Sequence, residues 1–204
     1  MRPVATSVTG SPSPDAGRPG TCAWAVAPRG TMRGTDEDLK WLQALLDVSF
    51  ERSGGHLRSA FGQEHRLSAA SLVDRLPGLF EMHFAVIAAD GAPLVAPVDG
   101  FMLRGKICLG LPAPSVRARL VRRDPRVSAS FNAEEVAFIA HGTFVEVDQA
   151  HPMVELFDRT SRELYVAQYG EWFNDWLDHK TEVEGRGVTG YIEPRALFAK
   201  GATP

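Results

Sequence analysis

Cysteine is scarce in this chain. Only Cys22 and Cys108 occur among 204 residues, far apart and in unrelated settings. They make neither a disulfide framework nor a metal-spaced pair, and they suit a reducing cytosol, so a cytoplasmic location is expected. Long apolar runs are missing too. Nothing approaches the roughly 20 consecutive residues that span a bilayer, so no membrane partner is expected. No positive region followed by a continuous apolar stretch opens the chain, and a secretory signal is not indicated. Charge of one sign is also lacking. The 22 Lys and Arg against 25 Asp and Glu leave a formal net charge of −3, which argues against an electrostatic grip of the whole protein on nucleic acid. The six histidines, His56, His65, His83, His141, His151 and His179, show no metal-ligand spacing. Neither a nucleophile elbow nor a Ser/His/Asp or Cys/His arrangement emerges from spacing. No catalytic residue and no metal site is therefore named.

What is present divides the chain. A hydrophobic content of 44% with 23% charged residues is ordinary for a soluble globular protein, and the length buries a core. Residues 1–34 are rich in Pro, Gly, Ser and Thr without a sustained period. Two readings of them stand: a disordered tail, or a stretch upstream of a start at Met32. Residues 35–200 are expected to form one domain with an N-terminal helical segment (35–80) and a C-terminal helix (152–179).

The helical segment opens with a cap. Thr35 precedes Asp38 by three positions, and Leu39, Leu42, Leu45, Leu46 and Phe50 then recur at helical spacing. "RSGGHLRS" stops this helix, and a second runs from Ser68 to Leu76 until "LPGL". From Met82 the grammar is that of strands. "MHFAVIAA" meets a hairpin signal at Asp90-Gly91, "PLVAPVDGFML" and "KICLGLPA" follow, and later come "RVSASFNA" and "VAFIAHGTFVEVD". Gly142 marks a bulge or bend in the last of these. Short strands at this spacing predict an antiparallel barrel rather than a parallel sheet, mainly β with flanking helices in the α+β class. After His151-Pro152 a helix with apolar faces returns, broken near Gly170, and "GVTGYIEPRALFAK" ends the fold as a strand.

One stretch, "SVRARLVRRDPRVSASF", carries five arginines before turning apolar. Pro112 and Pro114 forbid helix ahead of it and Ser115 is a good N-cap. Val116, Leu120 and Val121 fall on one side of a short helix and are expected to dock on the barrel. Arg122 falls opposite, so Arg122 and Arg123 read as solvent decoration. Arg117 lies in the first turn beside free backbone N–H groups, and Asp124-Pro125 ends the helix. A capped helix start with one guanidinium has the parts of a phosphate site. The plain alternative is an exposed basic helix between two strands.

"DGAPLVAPV" followed by "KICLGLPAPSVRARLVRRDPRVSASF" resembles the pyridoxamine 5'-phosphate oxidase-like proteins, the flavin-binding split-barrel family. The resemblance covers residues 82–148, with a weaker echo in "YIEPRALFA". It implies a six-stranded antiparallel split β-barrel of the FMN-binding type. It also implies a homodimer with a flavin-type cofactor at the subunit interface. On that resemblance the cofactor phosphate falls to Ser115 and Arg117, with Arg119 close by. Many relatives carry Lys where this chain has Arg117, and both bind phosphate. Gly110 and Leu111 fall where the family approaches the phosphate or ribityl chain. Val95, Ala96, Pro97 and Val98 fall on the strand that lines the ring.

The function this implies is a flavin-dependent oxidoreductase acting on an unidentified small molecule, with FMN as the default and a deazaflavin as the alternative. The rival is a non-catalytic, stress-related split barrel holding flavin or haem. Lesser signals read as structure. Gly185, Gly187 and Gly190 match Gly-x-Gly-x-x-Gly literally but lack a preceding strand and a following helix, so they form a loop. His83, His141 and Cys108 read as structural residues, and Trp172 and Trp176 as packing on the barrel or on a partner, the alternative being that they border the ring of a cofactor.

Overall fold

The structure, a computed structural model, describes residues 34–133 and 135–201. The proposed tail, apart from Gly34, lies outside the described residues, as do Met32 and Cys22.

Helix α1 (Asp36–Glu51) begins where the sequence caps it. The Thr35 hydroxyl accepts from the Asp38 N–H at 3.2 Å, and the Thr35 N–H donates to Asp38 Oδ2 at 2.8 Å. That reciprocal box satisfies two otherwise free donors. Arg104 Nε also donates to Asp38 Oδ2, at 3.0 Å, so the cap is tied to the barrel. The inner face of α1 buries Leu42, Leu46 and Ser49. Ser49 is the polar member: its hydroxyl donates to Leu45 O at 2.6 Å and accepts from the Leu197 N–H at 2.9 Å. A short helix α2 (Gly55–Ala60) and a 3-10 turn (Gln63–His65) lead to α3 (Ala69–Arg75), capped by Ser68.

Six strands follow: β1 (Phe80–Ile87), β2 (Pro93–Leu103), β3 (Lys106–Leu111), β4 (Arg126–Asn132), β5 (Val136–Glu146) and β6 (Val188–Gly201). They close into an antiparallel barrel in the order β1-β2-β3-β6-β5-β4. Closure removes the sheet edges that would otherwise expose unpaired backbone. Strict alternation in β1 sends Phe80, Met82, Phe84 and Val86 inward. Phe80 meets Phe131 and Phe138 there, with ring centroids 5.1 and 5.7 Å apart. The bulge expected at Gly142 is present, as a register shift between His141 and Gly142 against β6. A Cβ at Gly142 would sit 2.1 Å from Glu193 O, so only glycine fits.

Helix α4 (Val116–Arg123) crosses between β3 and β4. The predicted C-terminal helix is two helices, α5 (Val154–Tyr169) and α6 (Trp172–Glu184), parted at Gly170. The pair runs to residue 184, not 179. A second apolar cluster outside the barrel seats α5: Phe157 and Leu164 pack with Phe101, Leu103, Cys108 and Tyr191. Cys108 is fully buried, and burial pushes its thiol pKa up.

Candidate functional site

The arginine helix is built as its sequence suggests at both ends. Ser115 Oγ accepts from the Ala118 N–H at 3.1 Å, and Asp124 leaves the helical region ahead of Pro125. Its inward face differs from the expected one. Ala118, Leu120 and Val121 are buried, whereas Val116 is 51% exposed. Val116 lies two residues, roughly 200°, round the helix from Ala118, and Ala118 turned inward turns Val116 out.

Tertiary partners separate the arginines further. Arg117 Nη1 donates to Pro97 O at 3.0 Å. Arg122 forms a two-pronged pair with Glu146, at 3.0 and 2.5 Å. Arg123 Nη2 donates to Ile87 O and Ala88 O at 3.2 and 2.5 Å, clamping the end of β1. Arg122 and Arg123 are exposed, as the helical wheel predicts, and each also has a partner on the barrel. Both anchor the helix to strands that lie far away in sequence. Arg126 pairs with Asp124 at 2.6 Å.

Beside Arg117 opens a cleft of about 670 Å³. Its floor is the outer face of β2 and β3, with Pro97, Asp99, Phe101 and Gly110; Val98 and Leu111, whose side chains belong to the barrel core, border it as well. Helices α5 and α6 supply the facing wall through Tyr165, Tyr169, Trp172, Phe173 and Trp176, and the loop through Arg186 and Gly187 borders it. A Cβ at Gly187 would lie 2.6 Å from Leu111 O, so that loop hugs the end of β3.

Of the expected site residues, Pro97, Val98, Gly110, Leu111 and Arg117 line this cleft. Val95, Ala96, Ser115 and Arg119 do not. Val95 is 56% exposed, four residues along β2 from Asp99, a displacement of roughly 13 Å. The Ser115 hydroxyl is engaged in its cap, and Arg119 faces solvent.

The cleft also holds residues the sequence reading left aside. Tyr165 and Phe173 stack with centroids 4.6 Å apart and planes 2° from parallel. Tyr169 lies beside Tyr165 at 6.0 Å, and Trp176 beside Phe173 at 5.2 Å. Phe173 is the buried ring of this wall, while Trp172 and Trp176 remain 58% and 44% exposed. Of the places expected for the two tryptophans, the barrel is not the one the structure shows: both line the cleft instead. The signal lay in "YVAQYGEWFNDW", where aromatics recur three and four apart across Gly170.

Acidic groups gather at one end. Glu81 and Asp99 are direct neighbours across the β1–β2 ladder, and Tyr165 Oη donates to Asp99 Oδ2 at 3.2 Å. Burial holds the Asp99 carboxyl above its ordinary pKa and Glu81 adds to this, while the bond from Tyr165 opposes it. Burial likewise raises the Tyr165 hydroxyl, and Asp99 reinforces the shift. Tyr169 is raised first by burial, then by Asp99 and Glu81.

Three of the four cations on the cleft are neutralised within the chain. Arg162 pairs with Asp178 at 2.6 Å, Lys180 with Glu184 at 3.5 Å and Arg186 with Asp158 at 2.8 Å. Arg117 has a carbonyl partner and, among the described residues, no carboxylate within ion-pair distance.

No family profile and no curated protein matches the chain. Solved structures do. A conserved hypothetical protein from Mycobacterium tuberculosis is 20% identical with a TM-score of 0.52, over 68% of this chain and 88% of that one. A proposed pyridoxamine 5'-phosphate oxidase from Listeria innocua is 12% identical with a TM-score of 0.42, over 57% and 85%. An FAD-binding protein from Mesorhizobium loti is 16% identical with a TM-score of 0.43, over 60% and 87%.

The chain is a closed six-stranded antiparallel split barrel, the fold it shares with the Mycobacterium tuberculosis protein.

In this split barrel the cleft lies on the outer face of the sheet, under its own C-terminal helices. A flavin-type cofactor fits the groups present: an aromatic wall for a flat ring, and one guanidinium free of a carboxylate for a phosphate. A haem held by histidine fits less well, because among the described residues no histidine, cysteine or methionine lines the cleft. His141 lies elsewhere, with Nδ1 2.8 Å from Ser128 Oγ, and its pKa is lowered by burial and then by Arg195. His83 is exposed on β1. Gly185 and Gly187 lie in the loop between α6 and β6, whereas Gly190, expected in the same loop, lies within β6 opposite Leu109. That order, helix then loop then strand, is the reverse of a dinucleotide fingerprint.

Proposed function

We propose that this cleft binds a flavin-type cofactor, FMN or a deazaflavin, and that the protein is a flavin-dependent oxidoreductase acting on a small molecule. The observation that carries the reading is the meeting, in one cleft, of an aromatic wall and a guanidinium with no carboxylate partner. When bound, such a cofactor supplies hydride or electron transfer. The chain supplies the rest. Arg117 binds phosphate, and its bond to Pro97 O holds the guanidinium on β2. Phe173, Tyr165 and the two tryptophans orient a flat ring and exclude water. Tyr165 keeps its proton on Oη, since burial and Asp99 both raise its pKa. A homodimer belongs to the same proposal, with a second copy covering Leu94 and Val95, which are 40% and 56% exposed.

Titration of the purified protein with FMN, and separately with the deazaflavin, followed by visible absorbance and fluorescence, tests the proposal. Saturable uptake of one of them is expected. Arg117→Ala should weaken it by about 1.5–3 kcal/mol, roughly ten- to hundred-fold. Arg122→Ala, whose partner is Glu146, should change affinity less than twofold. No uptake of either flavin, or equal losses from the two variants, would overturn the reading. A Soret band would replace it with haem binding.

A further inference from the structure

The aromatic wall and the acidic end of the cleft face an unmet need for positive charge. Glu81 and Asp99 stand side by side on neighbouring strands and both line the cleft. Among the described residues neither makes an ion pair. Asp99 has one hydrogen bond, from Tyr165, and is repelled by Glu81. Glu81 is exposed, but Asp99 is half-buried, and charge there is costly unless something compensates it. The cations that line the cleft do not: Arg162, Lys180 and Arg186 are held by Asp178, Glu184 and Asp158, and Arg117 is bound to Pro97 O.

The rings beside these carboxylates suit a cation as well. Tyr169 is 44% exposed and feels the charge of both Asp99 and Glu81. The wall already accepts an ammonium group from the chain itself: Lys180 Nζ lies 4.9 Å from the centre of the Trp176 ring. Exposed π faces next to carboxylates are the setting in which alkylammonium groups are recognised, because ring quadrupole and carboxylate attract the same charge. The volume, about 670 Å³, lies within the roughly 300–1,000 Å³ usual for small-molecule sites.

We propose that the end of the cleft formed by Glu81, Asp99, Tyr165 and Tyr169 takes an organic cation, a protonated amine or quaternary ammonium group carried on a flat or apolar body. The carboxylates receive the charge and the rings receive the body. The subsite thereby selects against anionic substrates at this end, while Arg117 serves an anion elsewhere in the cleft. It names the substrate class for the cleft described above, but it uses only side chains of the protein and stands or falls apart from the cofactor.

The test uses full-length protein freed of any flavin. Benzyltrimethylammonium, benzyl alcohol and benzenesulfonate are titrated in turn, followed by calorimetry and by tryptophan fluorescence. The ammonium should bind at least tenfold more tightly than either of the others. The double variant Glu81→Gln, Asp99→Asn should lose at least tenfold of that affinity while melting no lower than the wild type. Asp124→Asn, which removes a carboxylate that is paired with Arg126 and does not line the cleft, should leave it unchanged. Three results would each overturn the proposal: equal or tighter binding of the alcohol or the sulfonate, wild-type affinity in the double variant, or no saturable binding of the ammonium. FMN uptake is scored in its own titration, so a protein that takes FMN and refuses the ammonium sinks this inference alone, and the reverse sinks only the cofactor.

Discussion

Asp99 shows how one side chain can be read in two currencies, binding and stability. Its folded-state pKa is raised, chiefly by burial and then by Glu81. Folding therefore holds its proton more tightly than the unfolded chain does. The stability linked to this group is complete below the unfolded-state pKa, about 4 for aspartate, and is lost as pH rises through the higher folded value. Asp99→Asn keeps an oxygen to accept from Tyr165 and removes the charge. Its melting temperature should exceed that of the wild type at neutral pH, and the gain should shrink towards zero near pH ~4. A gain that does not depend on pH would show that charge is not the cause. Arg117, Arg122 and Arg123 make a related point. They share one short helix, and their roles differ because one meets a carbonyl beside the cleft, one a carboxylate and one the end of a strand.

Helices α1 and α6 differ in how firmly they are held, and the difference follows from what each buries. Helix α1 buries Leu42, Leu46 and Ser49 and is pinned at its start by the Thr35–Asp38 box. Helix α6 buries Phe173 alone, has no side-chain N-cap, and leaves Trp172, Trp176 and Val183 exposed. Its other restraint is the reach of Arg162 from α5 to Asp178 and Asn174, and exposed pairs of this kind contribute at most about 1 kcal/mol. Backbone amides of α6 should exchange with solvent at least tenfold faster than those of α1. They should slow when FMN or benzyltrimethylammonium occupies the cleft, because the ligand would rest on Trp172 and Trp176. Exchange in α6 as slow as in α1 would mean that the wall is rigid before any ligand arrives.

The whole molecule combines a closed barrel with a cleft on its outside, and this arrangement leaves apolar surface uncovered. Leu94 and Val95, at the start of β2, lie outside the cleft and away from both apolar clusters. Light scattering on the purified protein should give twice the chain mass, and Val95→Glu should shift it towards the monomer. A monomeric wild type at micromolar concentration would remove the homodimer from the proposed function.

The caps at Thr35 and Ser115, the stop at Asp124-Pro125, the break near Gly170, the bulge at Gly142 and most strand positions were legible in the chain itself. Each depends on neighbours a few residues apart, and local sterics and hydrogen bonding act at that range. The six-stranded split barrel came from likeness to a family, and the closure of β1 on β4 and of β3 on β6 bears it out. The cleft was only half legible. Pro97, Val98, Gly110 and Leu111 were named beforehand because of the family resemblance, and Arg117 because of its place in a capped first turn as well. Glu81 beside Asp99, Tyr165 on Asp99, Arg122 on Glu146 and the outward turn of the tryptophans were not. Those pairings join residues tens of positions apart, and they exist only once strand register and helix docking have brought the elements together.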